Sequence, residues 1–166
     1  MAVKRNLYNQ NTIYIIDMSS FKELHDRYPK NVFPTIWQKI SSLIQDGQLH
    51  SHIEVQREIK NTIYPKDKLL QWSNRNKKIF AGIDDCQNNQ IPKIRLQYNL
   101  SYWQNEMNRP APWADPYLIA MAICEHAIII TQEHKTKANR IPPIASQFGI
   151  RSLNLLEFFQ ELKIKL

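Results

Sequence analysis

The sequence predicts an α/β protein in which a parallel sheet of about four or five strands is sandwiched by helices. Three observations carry that class. Short β-branched runs, TIYII at 12–16 and AIIIT at 127–131, are widely separated along the chain. The stretches between them place apolar residues at helical spacing, as in Ile36, Trp37, Ile40, Leu43 and Ile44. Hydrophobic residues make up 43% of 166 residues against 22% charged, enough for one core and a single domain over 1–166.

The first strand, 12–16, is bounded by polar residues and ends before Asp17. Ser19 or Ser20 is expected to cap a helix from residue 21 to about 28, where Pro29 stops it. A second helix is expected from residue 34 to about 46, with Gly47 as its stop. A short strand, Leu49–His52, then leads into a helix carrying Ile53, Glu54, Val55, Glu58 and Ile59. Residues 66–80 and 92–106 each repeat helical spacing, through Leu69, Leu70, Trp72 and Ile79 and then Ile94, Leu96, Leu100 and Trp103. Three prolines make NRPAPWADP, residues 108–116, a stiff connection. Residues 117–124 are apolar on nearly all sides, as a helix buried against a sheet requires, and 127–131 reads as a central strand. Ser152–Leu153 is a last short strand and residues 155–162 a closing helix.

Composition excludes several classes. The 22 Lys and Arg against 15 Asp and Glu give a net charge of +7, which suits an anionic partner. None of the three glycines falls in a GxGxxG or GxxxxGK[ST] pattern, so glycine-loop phosphate binding is out. Cys86 and Cys124 are too few for a disulfide framework or a CxxC zinc site. Cys124, inside LIAMAIC, reads as an ordinary core thiol, and a reducing cytoplasmic compartment is expected. Lys4 and Arg5 precede no long apolar stretch, and nothing reaches the ~18 apolar residues of a membrane span. The expectation is a protein neither secreted nor transmembrane. The histidines (25, 50, 52, 126 and 134) show no metal-ligand spacing, and without GxSxG there is no nucleophile elbow. An aspartyl-phosphate phosphatase would need a second Asp two residues after Asp17, where Ser19 stands.

Ligand sites in open α/β sheets lie beyond the carboxyl ends of the strands. Asp17 follows the first strand, and Glu54 and Glu58 share one face of the helix after the second. Asp115 heads the most apolar helix, and Glu133 comes two residues after Thr131, where the strand AIIIT ends. Four connections thus bring carboxylates to one sheet edge. Such a cluster is costly without cations, and oxygen-only ligands select Mg²⁺ or Mn²⁺ over zinc. A basic surface around an acidic metal pocket is the layout for cleaving a phosphodiester. Each residue also has a plainer reading: Asp115 with Pro116 as a helix start, Asp17 in a turn, Glu54, Glu58 and Glu133 as solvated charges.

IIDMSS, EVQREI, WADPYLIAMA and IIITQE resemble, in order, the acidic motifs of PIN domains. The likeness covers residues 12–164 and points to the PIN-like branch related to the VapC toxins of type II toxin–antitoxin systems. YPKNVFPTIWQKISSLIQDGQL, ADPYLIAMA and SLNLLEFF resemble a PIN-like subfamily of bacterial proteins. The resemblance implies an endoribonuclease that holds one or two Mg²⁺ or Mn²⁺ ions on three or four carboxylates. Carried onto this chain, Asp17 is the first ligand, Glu58 the second (with Glu54 open as the alternative), Asp115 the third and Glu133 the fourth. The family more often has Asp at the last position, so the longer Glu133 is a departure. Ser19 and Thr131 would orient the carboxylates, with Glu54 beside them. Lys135, Lys137, Arg140 and Arg109 are candidate phosphate contacts, or solvated charges; Trp113 stacks a base, or pins its loop. The resemblance further implies an RNA substrate, tRNA included, a cognate antitoxin protein and a homodimer. Two alternatives stay open: a catalytically degenerate module that binds RNA or protein, and a metal-dependent nuclease acting on DNA.

Overall fold

The computed structural model describes residues 12–62 and 66–165, so Lys4 and Arg5 lie outside the described residues. Strands β1 (Tyr14–Ile16), β2 (Leu49–His52), β3 (Phe80–Ala81), β4 (Ile128–Ile130) and β5 (Ser152–Leu153) form one sheet in the order β3-β2-β1-β4-β5. Every neighbouring pair is parallel. The helices are α1 (Met18–Arg27), α2 (Pro34–Gln45), α3 (Ile53–Thr62), α4 (Lys68–Arg75), α5 (Asp85–Arg95), α6 (Leu100–Asn108), α7 (Asp115–Glu125), α8 (Ile141–Ser146) and α9 (Leu155–Glu161). The α/β class with a parallel sheet flanked by helices is therefore the fold.

The central strands β1 and β4 are buried throughout, as sheets covered on both faces require. Ile15, Ile16, Ile129 and Ile130 have no exposed surface and sit in one contiguous core with Phe21, Leu24, Ile36, Ile119, Met121 and Phe158. Helix α7 is buried on several sides (Leu118, Ile119, Ala120, Met121, Ala122), which explains its lack of a polar face. It ends at His126, whose φ of 52° turns the chain into β4.

Boundaries shift where side chains, not periodicity, decide them. Asp17, rather than Ser19 or Ser20, caps α1 by accepting from Ser19 N. Asp115 is the first residue of α7, not its cap; that position is Ala114, which has no side-chain acceptor. The stretch 66–80 divides: α4 stops at Arg75, a short 3₁₀ turn covers Lys77–Ile79, and Phe80 enters β3 opposite Ser51. The expected 92–106 helix is also two. Leu96 and Leu100 are 82% and 59% exposed, so they belong to no buried stripe, and the Asn99 side chain restarts the chain as α6 by accepting from Ser101 N and Tyr102 N.

Cys124 is not a free core thiol. Cys86 on α5 and Cys124 on α7 form a disulfide with Cα atoms 6.1 Å apart. The cysteine-based argument for a reducing compartment falls with that correction. No described helix is long and apolar enough to cross a membrane.

Candidate functional site

The strand order reverses between β1 and β4. The chain builds β1, β2 and β3 outward on one side, then returns to place β4 and β5 on the other. In sheets of this kind the crevice at the reversal, at the carboxyl ends, is where ligands bind. The register pairs Ile16 with Ile130, so the next residues, Asp17 and Thr131, emerge side by side. Asp17 N donates to Ile130 O at 3.0 Å, fixing that alignment.

Asp17 is 6% exposed and both of its oxygens accept hydrogen bonds. Oδ1 accepts from Ser19 N. Oδ2 accepts from Ser19 Oγ at 2.9 Å and from Thr131 Oγ1. The same hydroxyls brace the β4 exit: Gln132 N donates to Ser19 Oγ at 3.0 Å and Glu133 N to Thr131 Oγ1 at 3.2 Å. Ser19 and Thr131 therefore hold Asp17 and aim Glu133 together.

The other carboxylates arrive from three further elements. Glu58, on the second turn of α3, accepts from Ala114 N at 2.8 Å and so lies against the start of α7, beside Asp115. Glu54 turns to Arg57 instead, which makes Glu58 the member of the pair that reaches α7. Glu133 Oε2 accepts from Ile141 N at 2.6 Å at the start of α8, and Arg140 Nη1 stands 3.5 Å from Oε1. Asp17, Glu58 and Glu133 are each anchored to backbone N–H groups at a helix N-terminus (α1, α7 and α8), where the helix dipole favours negative charge. Asp115 itself occupies the first turn of α7.

The charge of Asp17 acts on the other three groups. Burial pushes the Asp115 carboxyl well up, and the charges of Glu133, Asp17 and Glu58 add to the rise, against a hydrogen bond from the Trp113 side chain. Glu58 is pushed up to about 8, first by burial and then by Asp17, Glu133 and Glu54, while the Ala114 N–H opposes. Glu133 is raised by burial and Asp17 and lowered by Ile141 N and Arg140. Asp17 is raised by burial against its three hydrogen bonds. Buried carboxylates of which three are raised by a neighbour's charge would be relieved by a positive charge among them.

The donor set fits a hard divalent cation: four carboxylates from four elements, without sulfur or imidazole. As placed, Asp17, Glu58 and Glu133 accept from backbone or hydroxyl donors and Asp115 from the Trp113 side chain, and no three His, Cys, Asp or Glu side chains among the described residues are gathered as a metal shell. The fit rests on the chemistry of the donors and their shared field.

The sequence-expected phosphate contacts are largely engaged elsewhere. Lys135 pairs with Glu157 on α9, Arg109 with Glu106 at 2.6 Å, and Arg140 with Glu133. Lys137 is exposed and makes no ion pair among the described residues. Trp113 packs with Tyr98, Tyr102 and Trp103, ring centroids 5.2–6.1 Å away, and so pins the proline-rich loop. One neighbour was not visible in the sequence. The Tyr98 hydroxyl is buried without a partner among the described residues, and Asp115 and Glu133, after burial, push its pKa up. Of the histidines, His52 is lowered to about 4 by burial and stacks on Tyr117, His50 pairs with Glu125 at 2.6 Å, and His134, next to Glu133, accepts from Thr136 N at its Nδ1.

Fold and site together define a class: a five-stranded, all-parallel α/β protein with interacting buried carboxylates at its topological switch point. By sequence the chain belongs to the family described as a domain of unknown function (DUF4411), whose model matches residues 14–166. Among curated proteins none matches this chain.

Proposed function

We propose that the protein is a PIN-like, Mg²⁺- or Mn²⁺-dependent endoribonuclease, with Asp17, Glu58, Asp115 and Glu133 as its metal-binding carboxylates. The observation that carries this reading is the burial of four acids that four separate elements bring to the carboxyl edge of the sheet, where the charge of Asp17 raises the other three. When bound, the cation supplies an activated water and a counter-charge for the leaving oxygen. Asp17, braced by Ser19 and Thr131, and Asp115, at the first turn of α7, would hold the ion. Glu58, once a bound cation's charge offsets its raised pKa and leaves it ionised, would orient the attacking water and take its proton; Glu133, tethered to α8, would close the site from the β4 side. The net charge of +7 favours a polyanionic substrate, with Lys137 free to meet it and Lys135 and Arg140 available on exchange of their partners.

The toxin half of a toxin–antitoxin pair is the biological setting that the PIN-like resemblance supports, with an antitoxin partner and a homodimer. RNA places the protein in the cytoplasm with its substrate. There a disulfide between Cys86 and Cys124 would stand against the reducing glutathione pool, so its redox state in cells bears directly on this placement. The engagement of each carboxylate by internal donors favours the alternative of a degenerate RNA- or protein-binding module, and a DNA substrate is the third arm of the test.

Purified protein is expected to cut a labelled tRNA pool with Mn²⁺ and to lose activity in EDTA or on Asp17→Asn. Binding without cleavage would favour the degenerate module. Cleavage of DNA in preference to RNA would reassign the substrate, and neither cutting nor binding would remove the nuclease reading.

A further inference from the structure

A second concavity, away from the carboxylates, has the chemistry of a nucleotide site. A groove of about 590 Å³ runs between α1, α2 and α4. That volume lies within the usual range for small-ligand sites. Its aromatic wall is Trp37, Trp72 and His25: the His25 ring meets Trp37 at 4.8 Å and Trp72 at 5.5 Å, both edge-on. Trp37 is fixed by donating Nε1 to Tyr28 O at 2.6 Å, while Trp72 is only half-buried. Lys30, Lys68 and Arg75 surround that wall; all three are exposed and none makes an ion pair among the described residues.

No acidic side chain lines the groove. The nearby acids have other partners: Asp26 pairs with Lys22 and Asp67 caps α4 through Leu69 N. His25 is a neutral wall at pH 7. Its Nδ1 donates to Phe21 O at 2.9 Å, and burial lowers its pKa. Its Nε2 is covered by protein, so recognition here rests on ring faces and on the cations.

Aromatic faces edged by unpaired cations match a flat base attached to a phosphate, as in proteins that hold single-stranded nucleic acid. We propose that this groove binds a nucleotide unit, its base on Trp72 and its phosphate among Lys30, Lys68 and Arg75. His25 lies eight residues beyond Asp17 on the same helix, a rise of about 12 Å. The groove is therefore an exosite, and its occupancy does not require the carboxylates to bind metal.

The test is titration of the full chain in EDTA with 5′-AMP, a short oligoadenylate and inorganic phosphate. The nucleotide probes are expected to quench tryptophan fluorescence and to bind more tightly than phosphate. Lys68→Glu with Arg75→Glu should weaken them by roughly tenfold or more, as should Trp72→Leu. The charge-reversal variant changes exposed, unpaired residues, so it keeps the test sound if Trp72→Leu fails to fold. Binding of both nucleotide probes would mean that one nucleotide suffices; oligoadenylate alone would identify a nucleic-acid strand as the source. Absence of nucleotide binding, phosphate binding as tightly as 5′-AMP, or affinities unmoved by charge reversal would overturn the proposal. EDTA separates this result from cleavage: either finding can fail while the other stands.

Discussion

Asp17 does three things at once: it ends β1, caps α1 and stands at the switch point between β1 and β4. One of its supports is the hydroxyl of buried Thr131, which donates to Oδ2 while accepting from Glu133 N. Thr131→Val keeps the shape and removes both bonds, leaving a buried carboxylate oxygen short of a donor. Urea unfolding is expected to show a loss of about 1–3 kcal/mol; no loss would mean that the hydroxyl is idle. Glu58 gives a pH signature. Its folded pKa, about 8, lies above its ordinary 4.5, so the folded state holds the proton more tightly. The stability this contributes is complete below 4.5 and is lost as pH rises through about 8. The buried histidines act in the opposite sense, but only below their ordinary value of 6.5. Thermal unfolding without metal should therefore fall between pH 6.5 and about 8, and Glu58→Gln, which keeps an acceptor for Ala114 N, should flatten that fall. A slope equal to that of the parent would show that Glu58 titrates normally.

Among the elements, α7 links the site to the rest of the fold. It starts at Asp115, packs along α5 and is tied to it by Cys86–Cys124, which closes a segment of sequence separation 38. Reduction should cost about 3–4 kcal/mol from loop entropy. Denaturation with and without reductant measures it, and a Cys86→Ser, Cys124→Ser variant should not respond to reductant. The bond was not legible in the chain, because two cysteines 38 residues apart say nothing of how α5 and α7 pack. Elements with strong local chemistry were legible: TIYII and AIIIT as strands, Pro34 and Gly47 as the ends of α2, and NRPAPWADP as a rigid connection. Those set by distant partners were not. Phe80–Ala81 is a strand only because Ser51 and His52 lie beside it. The six residues of α8 begin Ile-Pro-Pro and carry no helical period, and α5 is polar with Pro92 inside it. The candidate acids stood out in the chain because Asp17 and Glu133 come just after strands, Glu58 lies on the helix after β2 and Asp115 heads the most apolar helix; the N–H groups of Ala114 and Ile141 that receive Glu58 and Glu133 were not legible, since they belong to tertiary packing.

At the scale of the molecule, the order β3-β2-β1-β4-β5 turns a scatter of acids along the sequence into neighbours. Residues 17, 58, 115 and 133 are far apart in the chain, yet the charge of Asp17 reaches the other three. The chain as a whole carries a net charge of +7, which favours the approach of a polyanion. Helix N-termini offset part of the repulsion and leave the rest for an ion. The central claim is thus that the four carboxylates form one divalent-cation site, and titration calorimetry of Mn²⁺ into the metal-free protein tests it most directly. Saturable binding is expected, abolished by Asp17→Asn or Asp115→Asn, with thermal unfolding of the metal-free variants unchanged or raised because a like charge has gone and the amide keeps an acceptor. Mn²⁺ affinity equal to the parent's in both variants, or no binding by the parent, would contradict it.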